Sequence, residues 1–299
     1  MTDATTHIQQ IQAAEARPVR GLWQDAAQRF VHHRIGMIGA AIFTVLVLLA
    51  LFGPNLAPYE PNTMDFSAPF APPSAAHLLG TDDFGRDTLS RIMYGARVSL
   101  LVGLIAVGIA GTIGTTLGML AGYGNRLLDE AIMRSMDVLL AFPTILLAIA
   151  IMAILGKGVA NAMLAIGVVY IPIFARIARG AVLSVKHEEF VLAARALGTN
   201  DWQILLRHIL PNILAPIIVE TSLSLSFAIL AEAALSFFGL GTQPPDPSWG
   251  RMLSEGRDFF HQSAWMGIFP GLAIMFSVMG FNFLGDGLRD VLDPRARRD

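Results

Sequence analysis

Long apolar stretches with almost no charged residues constrain this chain more than any other feature of its sequence. A helix needs about 20 apolar residues to cross a hydrocarbon core about 30 Å thick. Six stretches of suitable composition follow one another, and they cover residues 35–59, 98–125, 138–156, 158–175, 209–240 and 259–285. The fifth includes Glu220 and Glu232, and the others lack Asp, Glu, Lys and Arg. The sequence therefore predicts an all-α integral membrane protein with six transmembrane helices.

The composition agrees with a membrane protein and excludes several other classes. Only 15% of the residues are charged, whereas soluble domains carry about 25% charged residues. The formal net charge of −2 provides no basic excess for neutralising phosphates, so no nucleic-acid partner is expected. The chain has no cysteine, which excludes disulfides and thiolate metal sites.

Motifs of the common metal and nucleotide sites are incomplete. Residues 187–189, His-Glu-Glu, lack the second histidine of a His-Glu-x-x-His zinc helix. Residues 156–158, Gly-Lys-Gly, lack the upstream glycine and the Ser or Thr of a Walker A loop. His32 and His33 lie beside Arg34 at the start of the first apolar stretch, where an interfacial position is favoured over a metal site. We therefore expect no enzymatic activity, no metal and no cofactor in this chain itself.

Lysine and arginine predict the orientation, because short loops rich in these residues stay in the cytoplasm. With the N-terminus inside, most of the 21 Lys and Arg residues fall in inner segments. The outer segments then hold Arg86, Arg91, Arg97, Lys157, Arg251 and Arg257. Six spans return the chain to its starting side, so both termini are expected to be cytoplasmic. Three connections are long: one inner, at 176–208, and two outer, at 54–96 and 239–262.

Gly114, Gly118 and Gly122 recur every four residues in the second apolar stretch. On a helix this spacing forms one narrow face, where another helix can approach closely. We expect this face to pack against a helix of the same or another subunit, with substrate contact as the alternative.

Four of the prolines lie well inside the second to sixth apolar stretches, where each removes a helical hydrogen bond and predicts a kink. They are Pro143, Pro172, Pro216 and Pro270. Such kinks serve either as hinges or only to shape the helix bundle.

Glu220 and Glu232 are costly in lipid and should face the interior of the bundle or water. Their separation places them about 120° apart on a straight helix, so they do not share a face. Either could line a translocation path, and buried pairing or an interfacial position is the alternative. A proton-coupled secondary transporter would use one of them as a relay. A membrane-embedded enzyme is a third hypothesis, which lacks a convergent set of polar residues.

The inner connection at 176–208 carries the most distinctive pattern. Ala193, Ala194 and Ala196 predict a narrow, smooth helix surface, and Gly198 suits the positive φ at a helix end. A second helix follows, with an apolar side formed by Trp202, Ile204 and Leu205. A helix, a turn and another helix form a surface that can dock against a partner.

This segment resembles the cytoplasmic signature of ABC importer permeases, which is Glu-Ala-Ala, three residues, Gly, nine residues and Ile-x-Leu-Pro. The matching residues are Ala193, Ala194, Gly198, Leu210 and Pro211. Leu192 replaces the glutamate and His208 replaces the isoleucine. Three further stretches resemble the second permease subunit of dipeptide and oligopeptide importers: HLLGTDDFGRDTLSRIMYGARVSL from His77, LSFFGLGTQPPDPSWGRML from Leu235 and LGDGLRDVLDP from Leu284.

This resemblance, which extends over residues 21–294, implies the type I permease fold of the binding-protein-dependent transport inner-membrane component family. The implied organisation is a leader at 1–34, a first transmembrane helix at 35–57, a periplasmic loop at 58–96, a five-helix permease domain at 97–286 that contains the coupling loop 176–208, and a tail at 287–299. The coupling helix would lie within 193–207 and would dock against an ATP-binding subunit.

The resemblance also implies a function and a set of partners. The chain would move di- and oligopeptides across the inner (cytoplasmic) membrane. Its partners would be a second, homologous permease subunit in a heterodimer, two ATP-binding subunits that hold ATP and Mg, and a periplasmic or extracellular substrate-binding protein. Related permeases carry nickel chelates, glutathione or D-amino-acid dipeptides, so these cargoes remain alternatives.

Overall fold

The computed structural model describes residues 22–292, which are mostly helical, and the longest connection without a helix covers 57–87. The helices are α1 (Leu22–His32), α2 (Arg34–Leu56), α3 (Thr88–Tyr123), α4 (Arg126–Leu140), α5 (Thr144–Leu155), α6 (Val159–Val185), α7 (Glu189–Ala196), α8 (Asp201–Phe237), α9 (Trp249–Asp258) and α10 (Trp265–Leu292). The described residues contain no β-strand, and one isolated bridge joins Thr81 to Asp87. The all-α prediction is therefore confirmed for residues 22–292. Most of the expected leader and the end of the expected tail lie outside them.

Five helices are long and apolar enough to cross a membrane, namely α2, α3, α6, α8 and α10. A sixth candidate span consists of α4 and α5, which pass the same test together but meet at an angle of 91°. Pro143 explains the break, because it has no N–H to donate and disfavours helical backbone at Phe142 before it. The kink expected at Pro143 is therefore a complete break, whereas Pro172, Pro216 and Pro270 lie inside continuous helices.

Helix α3 begins earlier than predicted, so residues 88–96 of the expected outer loop are helical. Its N-cap is Asp87, whose carboxylate accepts a hydrogen bond from the Ser90 N–H at 2.8 Å. The 36 residues of α3 correspond to a length of about 54 Å, which exceeds a hydrocarbon core of about 30 Å. One end of α3 must therefore project into water. The connection expected at 239–262 likewise contains a helix, α9.

The main core forms where α3 packs along α6, and the glycine face of α3 makes the contact. A Cβ atom on Gly118 would lie 2.3 Å from the carbonyl oxygen of Ala175. The corresponding nearest distances at Gly114 and Gly122 are 2.5 and 2.8 Å, also to residues of α6. The two backbones thus approach closely over about two helical turns, which makes α3 and α6 one rigid pair within this chain.

A second core joins α2, α9 and α10 to the first turns of α3. Helix α2 approaches α10 closely at Gly39, where a Cβ atom would lie 2.3 Å from the Leu284 nitrogen. Trp249 of α9 is fully buried, and its indole N–H donates to the Ile92 carbonyl of α3 at 3.1 Å. Through these contacts, α2, α9 and α10 pack against the α3–α6 pair.

Candidate functional site

The segment at 186–211, which we call the α7–α8 segment, forms the expected helix, turn and helix. Helix α7 ends at Ala196, and Gly198 follows with a φ of 78°. The Thr199 N–H donates to the Ala194 carbonyl at 3.1 Å, which closes the end of α7. Asn200 then caps α8, because its side chain accepts a hydrogen bond from the Trp202 N–H at 2.9 Å. The predicted positive φ at Gly198 is therefore confirmed.

One face of the α7–α8 segment belongs to the main core. Val191, Ala194, Ile204 and Leu205 are all buried there. Trp202 was expected to share an apolar side with Ile204 and Leu205, but the structure separates them, since Trp202 is 55% exposed. Burial of the first set fixes how the segment sits on the transmembrane helices.

The opposite face of the α7–α8 segment exposes large apolar side chains. Leu197 is 86% exposed, and Ala193 beside it is also exposed. The other large apolar side chains on this surface are Phe190, Leu192, Trp202 and Leu206. Leu192, which departs from the family signature, thus adds to this surface. Contiguous exposed apolar side chains mark interaction sites more often than inert surface.

Polar contacts fasten the segment to the end of α3. The Tyr123 hydroxyl donates to the Asp201 carboxylate at 2.5 Å and accepts from the Arg195 guanidinium at 3.0 Å. The hydrogen bond to Tyr123 holds the pKa of Arg195 above its usual value, so Arg195 stays charged. Lys186 donates to the Gly122 carbonyl at 2.9 Å. Sequence reasoning missed Tyr123, Lys186 and Arg195, because no motif pairs them.

The first turns of α8 contain a π-helical segment, Ile204–Ile209, just before Pro211. Pro211 cannot donate a backbone hydrogen bond, and its ring would clash with the carbonyl four residues earlier in an α-helix. The Leu210 N–H bonds to the Leu205 carbonyl, five residues back, which widens the turn at this point. Leu210 is partly buried and Pro211 is exposed. Such π-segments occur frequently at functional sites.

The two glutamates of α8 have different environments, and the structure does not bring them together. Glu232 is 1% exposed, and its carboxylate accepts hydrogen bonds from Ser236 at 2.7 Å and Ser99 at 3.0 Å. The Ser99 hydroxyl oxygen also accepts a hydrogen bond from the backbone N–H of Trp249 at 3.4 Å. Glu232 therefore joins α3, α8 and the start of α9, as in the buried-pairing alternative. Glu220 is only partly buried and accepts one hydrogen bond, from Ser224 at 2.8 Å.

A buried ion cluster at the other end of the molecule was not predicted. Arg91 is 1% exposed and donates to Glu255 of α9 at 3.1 Å. Arg86 is 4% exposed and donates to Asp82 at 2.6 Å. Burial, and next the charge of Asp82, raise the pKa of the neighbouring Asp83. Arg86 also pairs with Glu255 at 3.5 Å, so this cluster links the 57–87 connection to α9.

The same architecture occurs in a known class of membrane proteins. One chain of the inward-facing MetNI methionine ABC transporter superposes on this chain with a TM-score of 0.56 at 18% identity, covering 67% of this chain and 94% of that one. The fold is therefore that of an ABC importer permease. Residues 21–73 match the N-terminal TM domain of oligopeptide transport permease C.

Residues 114–298 match the family described as binding-protein-dependent transport system inner membrane component, and the chain belongs to this family. It is 49% identical to the dipeptide transport system permease protein DppC of Alkalihalophilus pseudofirmus, over 92% of this chain and 90% of the relative. It is 45% identical to the glutathione transport system permease protein GsiD of Pectobacterium atrosepticum, over 94% of each. The chain is thus a multi-pass inner-membrane subunit of an ABC importer, a class that works with ATPase and substrate-binding partners.

Proposed function

We propose that this chain is the membrane-spanning subunit that moves di- and oligopeptides inward, powered by two separate ATP-binding subunits. The observation that carries this proposal is the exposed apolar face of the α7–α8 segment, which includes Leu197 and Trp202. A surface of this kind outside the lipid needs a protein partner. The spacing of Ala193, Ala194, Gly198 and Pro211 supports an ATP-binding subunit as that partner. ATP and Mg would be held there, with no cofactor on this chain.

The topology that fits this role has six spans, with α4 and α5 together forming the third. Both termini and the α7–α8 segment then lie on the cytoplasmic side, in agreement with the distribution of Lys and Arg. The ion cluster around Arg91 and Glu255 lies on the outer side. This cluster would stabilise the surface that binds the substrate-binding protein.

A second, homologous permease subunit would complete the path. Broad apolar areas of α2, α3 and α8 are exposed in the single chain, including Phe52, Leu104 and Phe227. Lipid and a partner permease would share these areas. Glu220, which is partly buried with one hydrogen bond, is the better of the two glutamates for lining the path, because Glu232 is enclosed by its partners.

Peptides are proposed as cargo on the strength of the dipeptide permease relative. The glutathione permease relative is nearly as similar, and glutathione is itself a peptide. Two cargoes at comparable identity support a shared translocation path, with selection by the substrate-binding protein. Nickel chelates and D-amino-acid dipeptides are the alternatives within the same class.

The test is to co-express this chain with its neighbouring permease and ATP-binding subunits and to purify on a tag carried here. We expect an intact complex whose ATP hydrolysis rises when peptide-loaded binding protein is added. In the Trp202→Ala variant, the amount of ATPase that co-purifies should fall at least about tenfold, because tryptophans that become buried at an interface dominate its binding energy. Phe66→Ala is the control, since Phe66 is 75% exposed in the outer connection. A chain that purifies without an ATPase and moves peptide under a proton gradient would refute the proposal.

A further inference from the structure

Helix α4, the first half of the broken third span, is joined to its neighbours by ion pairs and by a few apolar side chains, of which Ile132, Met133 and Leu139 are only partly buried. Among its 15 residues, all within the described part of the chain, only Met136 is buried. The rest of the helix is exposed or partly exposed. A helix with so little buried apolar surface can shift relative to its neighbours more easily than the closely packed α3 and α6 can.

Two ion pairs join α4 to the inner end of α6. The Asp129 carboxylate accepts hydrogen bonds from Nε and Nη2 of Arg179, at 2.5 and 2.7 Å. The Asp137 carboxylate accepts from Nη2 of Arg176 at 2.6 Å. Both pairs line an open cleft of about 520 Å³ between the two helices. The cleft leaves room for α4 to move while the long arginine side chains keep contact.

Stability alone does not account for these pairs. The side chains of Arg176 and Asp137 are 54% and 46% exposed, and those of Arg179 and Asp129 are 35% and 22% exposed. Ion pairs this accessible to water add little to the stability of a fold. A two-pronged arginine contact does, however, fix the orientation of its partner.

The positions of the four residues suggest what they connect. Arg176 and Arg179 lie on the last turns of α6, which ends at Val185 and leads directly into the α7–α8 segment. At its far end, α4 stops at the break before Pro143, where Phe142 is 55% exposed. The ion pairs are therefore placed between the proposed docking surface and the break in the third span.

We propose that the Asp129–Arg179 and Asp137–Arg176 pairs transmit movement of the α7–α8 segment through α6 to α4, and so to the break at 141–143. The four side chains are positioning residues, which act on the path through the orientation of α4. This inference rests on the proposed importer function. A single pair would let α4 rotate about that one contact. Two pairs eight residues apart on α4 fix its orientation relative to α6, so that α4 moves when α6 moves.

The experiment compares variants in the complete transporter, reconstituted in vesicles with binding protein and a peptide. Asp129→Asn with Asp137→Asn removes the carboxylate charge of each pair while preserving side-chain shape. Glu130→Gln is the matched control, since Glu130 pairs within residues 22–292 only with Arg126 of the same helix, at 2.7 Å. A third variant exchanges the charges, Asp129→Arg with Arg179→Asp.

The readout is peptide uptake per ATP hydrolysed, which a purely structural role would not change. For the Asn double variant we expect assembly and stimulated ATPase within about twofold of the original chain. Uptake per ATP should fall at least about fivefold, within the usual range of coupling between sites. The control should keep its ratio, and the charge exchange should recover part of it.

Two results would overturn the inference. One is an unchanged uptake-to-ATP ratio in the Asn double variant, and the other is parallel loss of assembly, ATPase and uptake. The importer function fails separately, if the original complex shows no ATP-dependent uptake at all, and the inference then falls with it. Comparison of the original complex with its variants therefore tells the two failures apart.

Discussion

Substitution of Gly198 by alanine isolates the backbone requirement of the α7–α8 segment. Gly198 has a φ of 78°, and a Cβ atom placed on it would have no other atom within 4 Å. Alanine therefore creates no clash with another part of the chain. Its cost comes only from the left-handed backbone, which is about 1–2 kcal/mol for a residue with a side chain.

This cost should lower the affinity for the ATP-binding subunit and leave the free energy of unfolding of the chain unchanged. Gly198 is exposed, Leu197 before it is 86% exposed, and Thr199 after it is only partly buried. In the undocked state the turn can relax into a more favourable conformation, because little packing resists the change. Docking must restore the original turn. The affinity for the ATP-binding subunit should then fall about 5- to 30-fold, at 1.4 kcal/mol per factor of ten.

The assay is titration of the ATP-binding subunits onto the reconstituted permease pair, with substrate-stimulated ATP hydrolysis as the signal. Gly198→Asn is the first control, because asparagine tolerates the left-handed region better than alanine does. Gly180→Ala is the second, since Gly180 is an exposed helical glycine with open space around it. Both controls should remain closer to the original affinity than Gly198→Ala does.

The reasoning would be refuted by a Gly198→Ala variant that binds as tightly as the original chain. It would also be refuted if Gly198→Asn were as impaired as Gly198→Ala, since the effect would then come from the side chain and not from the backbone. Gly198→Asp adds a charge to the apolar docking face, and we expect it to abolish stimulated hydrolysis and uptake with normal membrane insertion.

Two further substitutions test the rigid parts of the molecule. Gly118→Ala brings a Cβ atom to 2.3 Å from a carbonyl oxygen of α6, so we expect the free energy of unfolding to fall by about 1–3 kcal/mol. Thermal unfolding in detergent measures this change. Gly108→Ala is the control and should show no such loss, because Gly108 has open space around it. Glu232→Leu leaves two buried serine hydroxyls without their acceptor and should lower the free energy of unfolding by about 1–3 kcal/mol per hydroxyl. Glu232→Gln should retain most of the stability and of the uptake. Loss of uptake in a stable Glu232→Gln complex would contradict a purely structural role.

Features that repeat locally along the chain could be predicted from the sequence. The spans follow from apolar composition over about 20 residues, and the glycine face of α3 follows from a spacing of four. The turn at Gly198 was predictable because few other residues adopt a positive φ. Each of these signals lies within one helix or one turn, so the rest of the fold is not needed to read it.

Features that depend on distant charges could not be predicted in the same way. Arg91 and Glu255 are 164 positions apart, and Arg179 and Asp129 are 50 apart. No periodic pattern links such residues. The misplaced start of α3 has another cause, because a search for uncharged stretches stops at Arg97, which is exposed, although the helix continues through Arg97 and the buried Arg91 to Thr88. Pro143 marked the right position for a bend, but the 91° angle depends on the packing of α5.

The contacts in this chain differ in kind between the parts that should stay fixed and the parts that should move. Backbone contact at the glycine face joins α3 to α6, and Glu232 fastens α3 to α8 with buried hydrogen bonds. The α7–α8 segment has a buried apolar face and in addition an ionic contact near water at Arg195, and α4 is joined to α6 through such contacts at Arg179. Close packing resists gradual deformation, whereas exposed charged contacts can exchange partners at little cost. A push on the α7–α8 segment would therefore shift α4 before it separates α3 from α6, which is the behaviour that a two-state importer requires of its moving element.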